Sequence, residues 1–149
     1  MEKASLHWIQ GACLFWCLAA LGCGGSGGGL VPVKGVVKVE GKPAAGAVVT
    51  FHLQDGGMNN SPATAIAGPD GSFSLTTGEA QGVKPGKYKV TVTWPDPSKK
   101  PSQKEIMMGA SVYDGPDLLG GKYASSQKSP LEVEITSGTK EIAPFELTP

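Results

Sequence analysis

The chain has 149 residues, about the length of one domain, and its 22 glycines and 12 prolines separate short apolar runs, a composition typical of many turns and few long helices. Its 13 basic residues are all lysines, and they balance 13 acidic residues to a formal net charge of zero. Because these charges balance, the overall electrostatic field of the protein is expected to be weak, and nucleic acid is not a predicted partner.

Residues 1–22 are predicted to be an export signal. An apolar run from Trp8 to Leu21 follows Lys3 and would extend only about 21 Å as a helix, whereas a bilayer core needs about 20 apolar residues. A secretory apolar region needs only about 7 to 15 residues. The length of the run therefore favours export over a membrane span.

The end of this run, AALGC at residues 19–23, resembles the bacterial lipobox, in which a Cys is diacylated on sulfur and becomes the new N-terminus. The resemblance implies lipidation of Cys23, so membrane lipid is the first predicted partner. Cys13 and Cys17 would leave with the signal, and one remaining Cys cannot form an internal disulfide. Two or more acyl chains hold a protein on a membrane stably.

Residues 23–30 are predicted to be the lipidated Cys and a flexible tether, because GGSGGG follows Cys23 and would span roughly 13 Å. Gly24 lacks the acidic character that retains lipoproteins at the inner membrane of two-membrane bacteria. The resemblance therefore favours an outer-membrane lipoprotein that faces the periplasm or the cell surface.

Residues 31–149 are predicted to be one β-domain, because apolar and polar residues alternate with period two in seven runs separated by turn signals. Such a pattern predicts an all-β, antiparallel β-sandwich. The runs are residues 33–40, 47–53, 63–67, 72–76, 87–94, 131–135 and 142–147. The predicted inward set is Val49, Phe51, Phe73, Tyr88, Val90, Val92, Val133 and Ile135.

Three Gly- and Pro-containing segments predict the turns: residues 41–46 (GKPAAG), 68–71 (GPDG) and 84–88 (KPGKY). Together with their flanking strands, these motifs resemble the carboxypeptidase regulatory-like or transthyretin-like domain. The resemblance covers Val33 to Trp94 best and implies a seven-stranded Ig-like (prealbumin-like) sandwich. The chain also resembles small bacterial lipoproteins that combine a lipobox with this domain.

The sequence predicts no enzyme and no cofactor. Metallocarboxypeptidases that carry this domain hold zinc through His and Glu in a separate domain, whereas His52 is the one His left here after the signal. The transthyretin-like hydrolases use His and Arg, and this chain has no Arg. His52 itself falls on the polar face of its strand and is interpreted as an exposed strand residue.

Asp114 and Asp117, in the segment DGPD, are weak candidates for a Ca²⁺ site. They lack the ligand number of a recognised calcium loop, and a Pro/Gly turn explains them more simply. No metal is therefore predicted.

Two classes of function remain. The first is a non-enzymatic, lipid-anchored cell-envelope module that scaffolds an envelope protein or contacts a surface polymer. The alternative is an extracytoplasmic carbohydrate- or small-ligand-binding module that uses Trp94, Tyr113 and Tyr123. Alternation points Trp94 inward, which favours a core role for its ring.

The segment from Pro95 to Ser129 is too long for an ordinary connection within a sandwich. Its first half is polar and rich in Lys and Pro, so we expect it to be solvated and mobile. Its second half is apolar and predicts either a flap over a sheet edge, with residues 118–123 adding a short strand, or an exposed contact site. The contact site would consist of Met107, Met108 and Tyr113.

Overall fold

The structure, a computed structural model, describes residues 29–55, 60–99, 101–111 and 115–149. The predicted signal, Cys23, Tyr113 and Asp114 therefore lie outside the described residues. The described part is all-β with little helix, and its strands form two mostly antiparallel sheets, an arrangement consistent with a β-sandwich. None of the described helices has the length and apolar character needed to cross a bilayer.

The first sheet is built around β1 (Lys34–Val39). Strands β2 (Lys42–Pro43) and β5 (Ser72–Ser74) pair with β1 in antiparallel orientation, and β10 (Phe145–Leu147) pairs with it in parallel. The parallel pair joins the last described strand to the first, which brings both ends of the domain into one sheet.

The second sheet has six strands, all antiparallel to their neighbours, in the order β7-β6-β4-β3-β8-β9. These strands are β3 (Val48–Leu53), β4 (Ala63–Ile66), β6 (Thr76–Thr77), β7 (Ala80–Gln81), β8 (Gly86–Thr93) and β9 (Glu132–Ile135). The central strands β3 and β8 alternate apolar and polar residues, and their inward side chains Phe51, Tyr88 and Val90 are buried.

The predicted run at residues 72–76 crosses from one sheet to the other. Its first part, β5, pairs with β1, and its last residue begins β6, which pairs with β4. Leu75 lies between the two parts and is fully buried. Strands that change sheets in this way form the corners of sandwiches.

All seven predicted runs contain strands, and the strand at residues 72–76 is divided as described. The described residues also contain two short strands that alternation did not predict, β2 and β7, which have two residues each. β2 lies inside the predicted turn at residues 41–46, where a two-residue apolar–polar pattern is too short to detect.

The core lies between the two sheets and is centred on Phe51. The ring of Phe51 is 5.8 Å from that of Tyr88, 6.2 Å from Phe145 and 6.4 Å from Phe73, measured between centroids. The rings of Phe73 and Phe145 are stacked at 6.3 Å. Phe51 and Tyr88 come from one sheet and Phe73 and Phe145 from the other, so these aromatic contacts join the sheets.

Seven of the eight predicted inward residues are buried, and Val133 is the exception. Val133 is only partly buried because β9 is an edge strand, with β8 on one side and no further strand among the described residues on the other. Thr91 departs in the opposite direction: alternation places it on the polar face, yet it is 7% exposed. The His52 side chain helps to cover Thr91, since its imidazole Nε2 lies 3.1 Å from the Thr91 hydroxyl oxygen.

Candidate functional site

A short helix, α1 (Gln103–Met107), begins inside the long segment at a complete capping box. The Ser102 side chain accepts a hydrogen bond from the Glu105 backbone N–H, and the Glu105 carboxylate accepts from the Ser102 backbone N–H at 2.7 Å. Side-chain and backbone hydrogen bonds from Ser102 lower the pKa of Glu105. The capping box explains why a helix begins in a stretch expected to be solvated and mobile.

The end of α1 presents three consecutive apolar side chains to solvent. Ile106 is 39% exposed, Met107 87% and Met108 79%, and the helix buries no residue at all. Since large apolar side chains elsewhere in the described chain are mostly buried, three exposed neighbours form a distinct patch. We call Ile106, Met107 and Met108 the methionine tip.

The segment that carries the methionine tip leaves the fold at the end of β8, whereas the first described residues enter the fold near its start. Val31 and Val83 exchange two backbone hydrogen bonds, of 2.7 and 2.9 Å, so the chain enters the fold beside the start of β8. β8 begins at Gly86 and ends seven residues later at Thr93, a distance of about 23 Å at 3.3 Å per residue. The tip comes after Thr93 in the chain. The base of this segment and the entry of the chain at Val31 therefore lie toward opposite ends of β8.

Asp117 joins the two ends of the chain segment that carries the methionine tip, which we call the tip segment. Its Oδ1 accepts from the backbone N–H groups of Trp94 (2.8 Å) and Leu119 (3.0 Å), and its Oδ2 accepts from Gly121 N–H (2.9 Å). The backbone N–H of Leu118 also donates to the Trp94 carbonyl at 2.8 Å. The two ends of the segment therefore meet at Trp94 and Asp117.

Residues 117–131 cover the edge of β8 that β9 does not reach. Val92 N–H donates to the Tyr123 carbonyl, Val90 N–H donates to the Leu131 carbonyl, and the Ser129 hydroxyl donates to the Val90 carbonyl. Leu119 and Tyr123 are buried in the core. This part of the segment lies over a sheet edge, but the short strand predicted at residues 118–123 is wrong, since these residues form turns.

The predicted site residues thus separate into different structural settings. Met107 and Met108 lie together at the exposed tip, whereas Asp117 lies at its base and binds backbone amides. Cys23, Tyr113 and Asp114 lie outside the described residues. No group of three His, Cys, Asp or Glu that could hold a metal ion is found within the described ranges.

Two of the three aromatic residues considered for carbohydrate binding, Trp94 and Tyr123, are engaged in the fold. Trp94 is partly buried against the core, in agreement with its predicted inward direction, and its indole N–H donates to the Ala45 carbonyl at 3.0 Å. Tyr123 is 6% exposed. Neither ring is an open platform for a sugar.

Two of the described clefts are smaller than an ordinary ligand pocket, and a third falls within the usual size range. Two of them, of about 180 and 230 Å³, reach Tyr88, whose hydroxyl donates to the Lys84 carbonyl at 2.7 Å. Ligand pockets commonly have about 300 to 1,000 Å³. A third cleft, of about 410 Å³, has Lys34 and Glu141 as its ionisable lining residues. His52 lies elsewhere, half-buried against Thr91, rather than on the exposed surface expected from its strand position.

Comparison with protein-family models and with curated proteins finds no match for the chain. Among solved structures, the chain is similar to a DUF3823 family protein from Parabacteroides merdae, with 17% sequence identity and a TM-score of 0.36. The similarity covers 79% of this chain and 43% of that protein, so the chain spans less than half of the other protein's length.

Proposed function

We propose that this protein is a non-enzymatic, lipid-anchored module of the cell envelope, which contacts another envelope protein through the methionine tip. The observation that carries this proposal is the exposure of Met107 and Met108, 87% and 79%, on a helix that buries nothing. Flexible, polarisable Met side chains are common at surfaces that bind proteins. Tyr113, five residues beyond Met108, belongs to the proposed contact site by sequence.

The finer family assignment is part of the same proposal. The chain would be an Ig-like, carboxypeptidase regulatory-like or transthyretin-like domain, whose seven principal strands correspond to the seven alternating runs. The GPDG turn supports it: Gly71 has a φ of 77° and its N–H donates to the Gly68 carbonyl at 2.9 Å. Domains of this type are structural and binding modules, and their fold does not by itself specify a partner.

The position of the tip supports a protein partner located away from the anchoring membrane. With Cys23 acylated, the tether would meet the fold at Val31, and the segment that carries the tip would leave the fold at the far end of β8, about 23 Å along the strand. The tip would then be directed into the periplasm or away from the cell surface, where a neighbouring envelope protein can reach it.

The anchor is tested by the intact mass of the mature protein. We expect an N-terminus at Cys23 that carries acyl chains, and we expect Cys23→Ser to be released in soluble form or left unprocessed. An unmodified N-terminus at Cys23, or one further along the chain, would overturn the lipoprotein part of the proposal.

The contact site is tested by affinity capture from solubilised envelopes. Met107→Gln combined with Met108→Gln should remove a specific captured protein, because the change makes the exposed side chains polar without altering the capping box. Leu118→Gln is the matched control, since Leu118 is also apolar and 40% exposed but lies outside the tip. Identical captured proteins from wild type and the double variant would rule out the tip as a contact site.

A further inference from the structure

Both methionines that the structure describes, Met107 and Met108, lie at the methionine tip. The chain has two others: Met1, which belongs to the predicted signal, and Met58, which lies outside the described residues. The buried core of the described domain consists of Val, Ala, Phe, Leu, Ile and Tyr side chains, without a methionine. Met fills irregular gaps in cores easily, so its place here at one exposed helix end sets these two thioethers apart from the fold.

The bonds that hold α1 do not depend on the side chains of the tip. At its start, the capping box joins Ser102 and Glu105. At its end, the backbone N–H of Met108 donates to the carbonyls of Lys104 and Glu105, each at 3.1 Å. The helix also buries no residue. A chemical change at the sulfur of Met107 or Met108 therefore leaves both the helix bonds and the core in place.

An exposed thioether reacts with peroxides by transfer of one oxygen atom. A sulfur lone pair attacks the peroxide, the O–O bond breaks and an S–O bond forms, so that sulfur loses two electrons and hydrogen peroxide is reduced to water. Methionine sulfoxide reductases reverse the reaction. In that step two thiols become a disulfide, and the oxygen leaves the sulfur as water. Because the oxidant must reach the sulfur, exposure governs which methionines react.

We propose that Met107 and Met108 are a reversible oxidation site, at which a peroxide switches off the contact made by the methionine tip. This inference rests on the contact function proposed above for the same residues. Oxidation replaces two flexible apolar side chains by polar ones. A polar sulfoxide loses its hydration when a partner covers it and needs a new hydrogen-bond partner there, so the oxidised tip binds an apolar surface less well.

The neighbouring exposed apolar residues show what methionine adds to the tip. Ile106 and Leu118 are also exposed, but their hydrocarbon side chains do not react with peroxides. A contact made by such residues would be as apolar and would stay unchanged by an oxidant. The predicted export agrees with an oxidation switch, because exported proteins lie outside the reducing cytosol.

The test uses the full chain, purified in detergent from the cells that express it, with Met58→Leu so that Met107 and Met108 are the only methionines after the signal. Wild type is treated in parallel, and peptide mass spectrometry follows each methionine separately. Hydrogen peroxide should oxidise both tip residues at rates within about threefold of that of free N-acetylmethionine amide. The urea midpoint, followed by Trp94 fluorescence, should stay the same, because neither sulfur is packed in the core.

The oxidised chain, freed of peroxide by catalase, is then used for affinity capture from untreated envelopes. The protein that the reduced chain captures should fall about tenfold, and methionine sulfoxide reductase should restore it. Since this reductase acts on methionine sulfoxide, recovery in the Met58→Leu chain assigns the effect to the tip.

Equal capture by the reduced chain and by a chain with both sulfoxides overturns the oxidation switch and leaves the proposed contact function intact. A loss of capture that the reductase does not reverse also overturns the switch. So does oxidation of the tip more than about tenfold slower than that of the free compound, or a urea midpoint that falls on oxidation. A reduced chain that captures no specific protein refutes the contact function itself, and the switch with it.

Discussion

Replacement of Phe51 by Ala is the most direct test of the core, because this ring joins the two sheets. Phe51 is fully buried, and its centroid is 5.8 to 6.4 Å from the rings of Tyr88, Phe145 and Phe73. Loss of a buried Phe costs about 3 to 5 kcal/mol, and each aromatic pair adds about 0.5 to 1.5 kcal/mol beyond the buried area. With three pairs lost, we expect Phe51→Ala to lower the free energy of unfolding by about 4 to 5 kcal/mol.

The matched control is Lys89→Ala on the outer face of the same sheet. Lys89 forms an ion pair of 2.6 Å with Glu132, whose side chain is 60% exposed. Exposed ion pairs contribute about 0.2 to 1 kcal/mol, so the control should cost less than about 1 kcal/mol. The sequence pattern alone predicts under about 0.5 kcal/mol, and the ion pair raises that limit.

Urea unfolding of residues 29–149 measures both variants. Trp94 is the one Trp outside the predicted signal and is partly buried against the core, so its fluorescence reports on unfolding. Since small domains have about 5 to 15 kcal/mol of stability, Phe51→Ala should lose a large part of it or fail to fold. Equal losses in the two variants would refute the assignment of Phe51 to the core.

Three further predictions concern loops and turns. Asp117→Ala should lower the free energy of unfolding by about 2 to 3 kcal/mol, because backbone amides such as that of Trp94 would lose their acceptor. Asp117→Asn should lower it by less. Equal urea midpoints for wild type and Asp117→Ala would contradict this. Gly71→Ala should lower the free energy of unfolding more than Gly41→Ala, although both glycines have a φ of 77°. A Cβ at Gly71 would lie 2.5 Å from a backbone oxygen, whereas a Cβ at Gly41 would meet no atom within 4 Å. A lower denaturation midpoint for Gly41→Ala than for Gly71→Ala would contradict this. The lowered pKa of Glu105 means that the capping box stabilises α1 above the ordinary Glu pKa of about 4.3 and is lost as pH falls through the lower folded value. The protection factors of the α1 amides, which correct for the slower intrinsic exchange in acid, should therefore fall on acidification more in wild type than in Glu105→Gln; an equal fall in both would contradict this.

Much of the fold and part of the candidate site could be predicted from local patterns. Alternation placed a strand in each of the seven runs, because a half-buried strand needs apolar residues at every second position. The exposed apolar stretch at Met107 and Met108 is visible in the sequence, and Ser102-x-x-Glu105 carries the signature of the capping box that starts α1. These features depend on residues close together in the chain.

Only the tertiary structure decided the features that depend on which strands are neighbours. Alternation in residues 72–76 is compatible with one strand, and the change of sheet at Leu75 appears only when β1 and β4 are both in place. Val133 alternates like a core residue, yet it is partly exposed because β9 lies at an edge. Burial thus depends on what packs beyond a strand as well as on its pattern.

The same distinction applies to the functional surfaces. From the sequence, Asp117 in DGPD is interpreted as a turn residue or a weak cation ligand. Its role at the base of the tip segment depends on Trp94, which is 23 positions away in the chain and lies beside it only in the folded structure. Strand register alone makes neighbours of residues that are 41 positions apart, as Thr50 and Thr91 are. A sequence specifies period and turn chemistry locally, whereas register and edge coverage follow from long-range pairing, which the whole core must satisfy together.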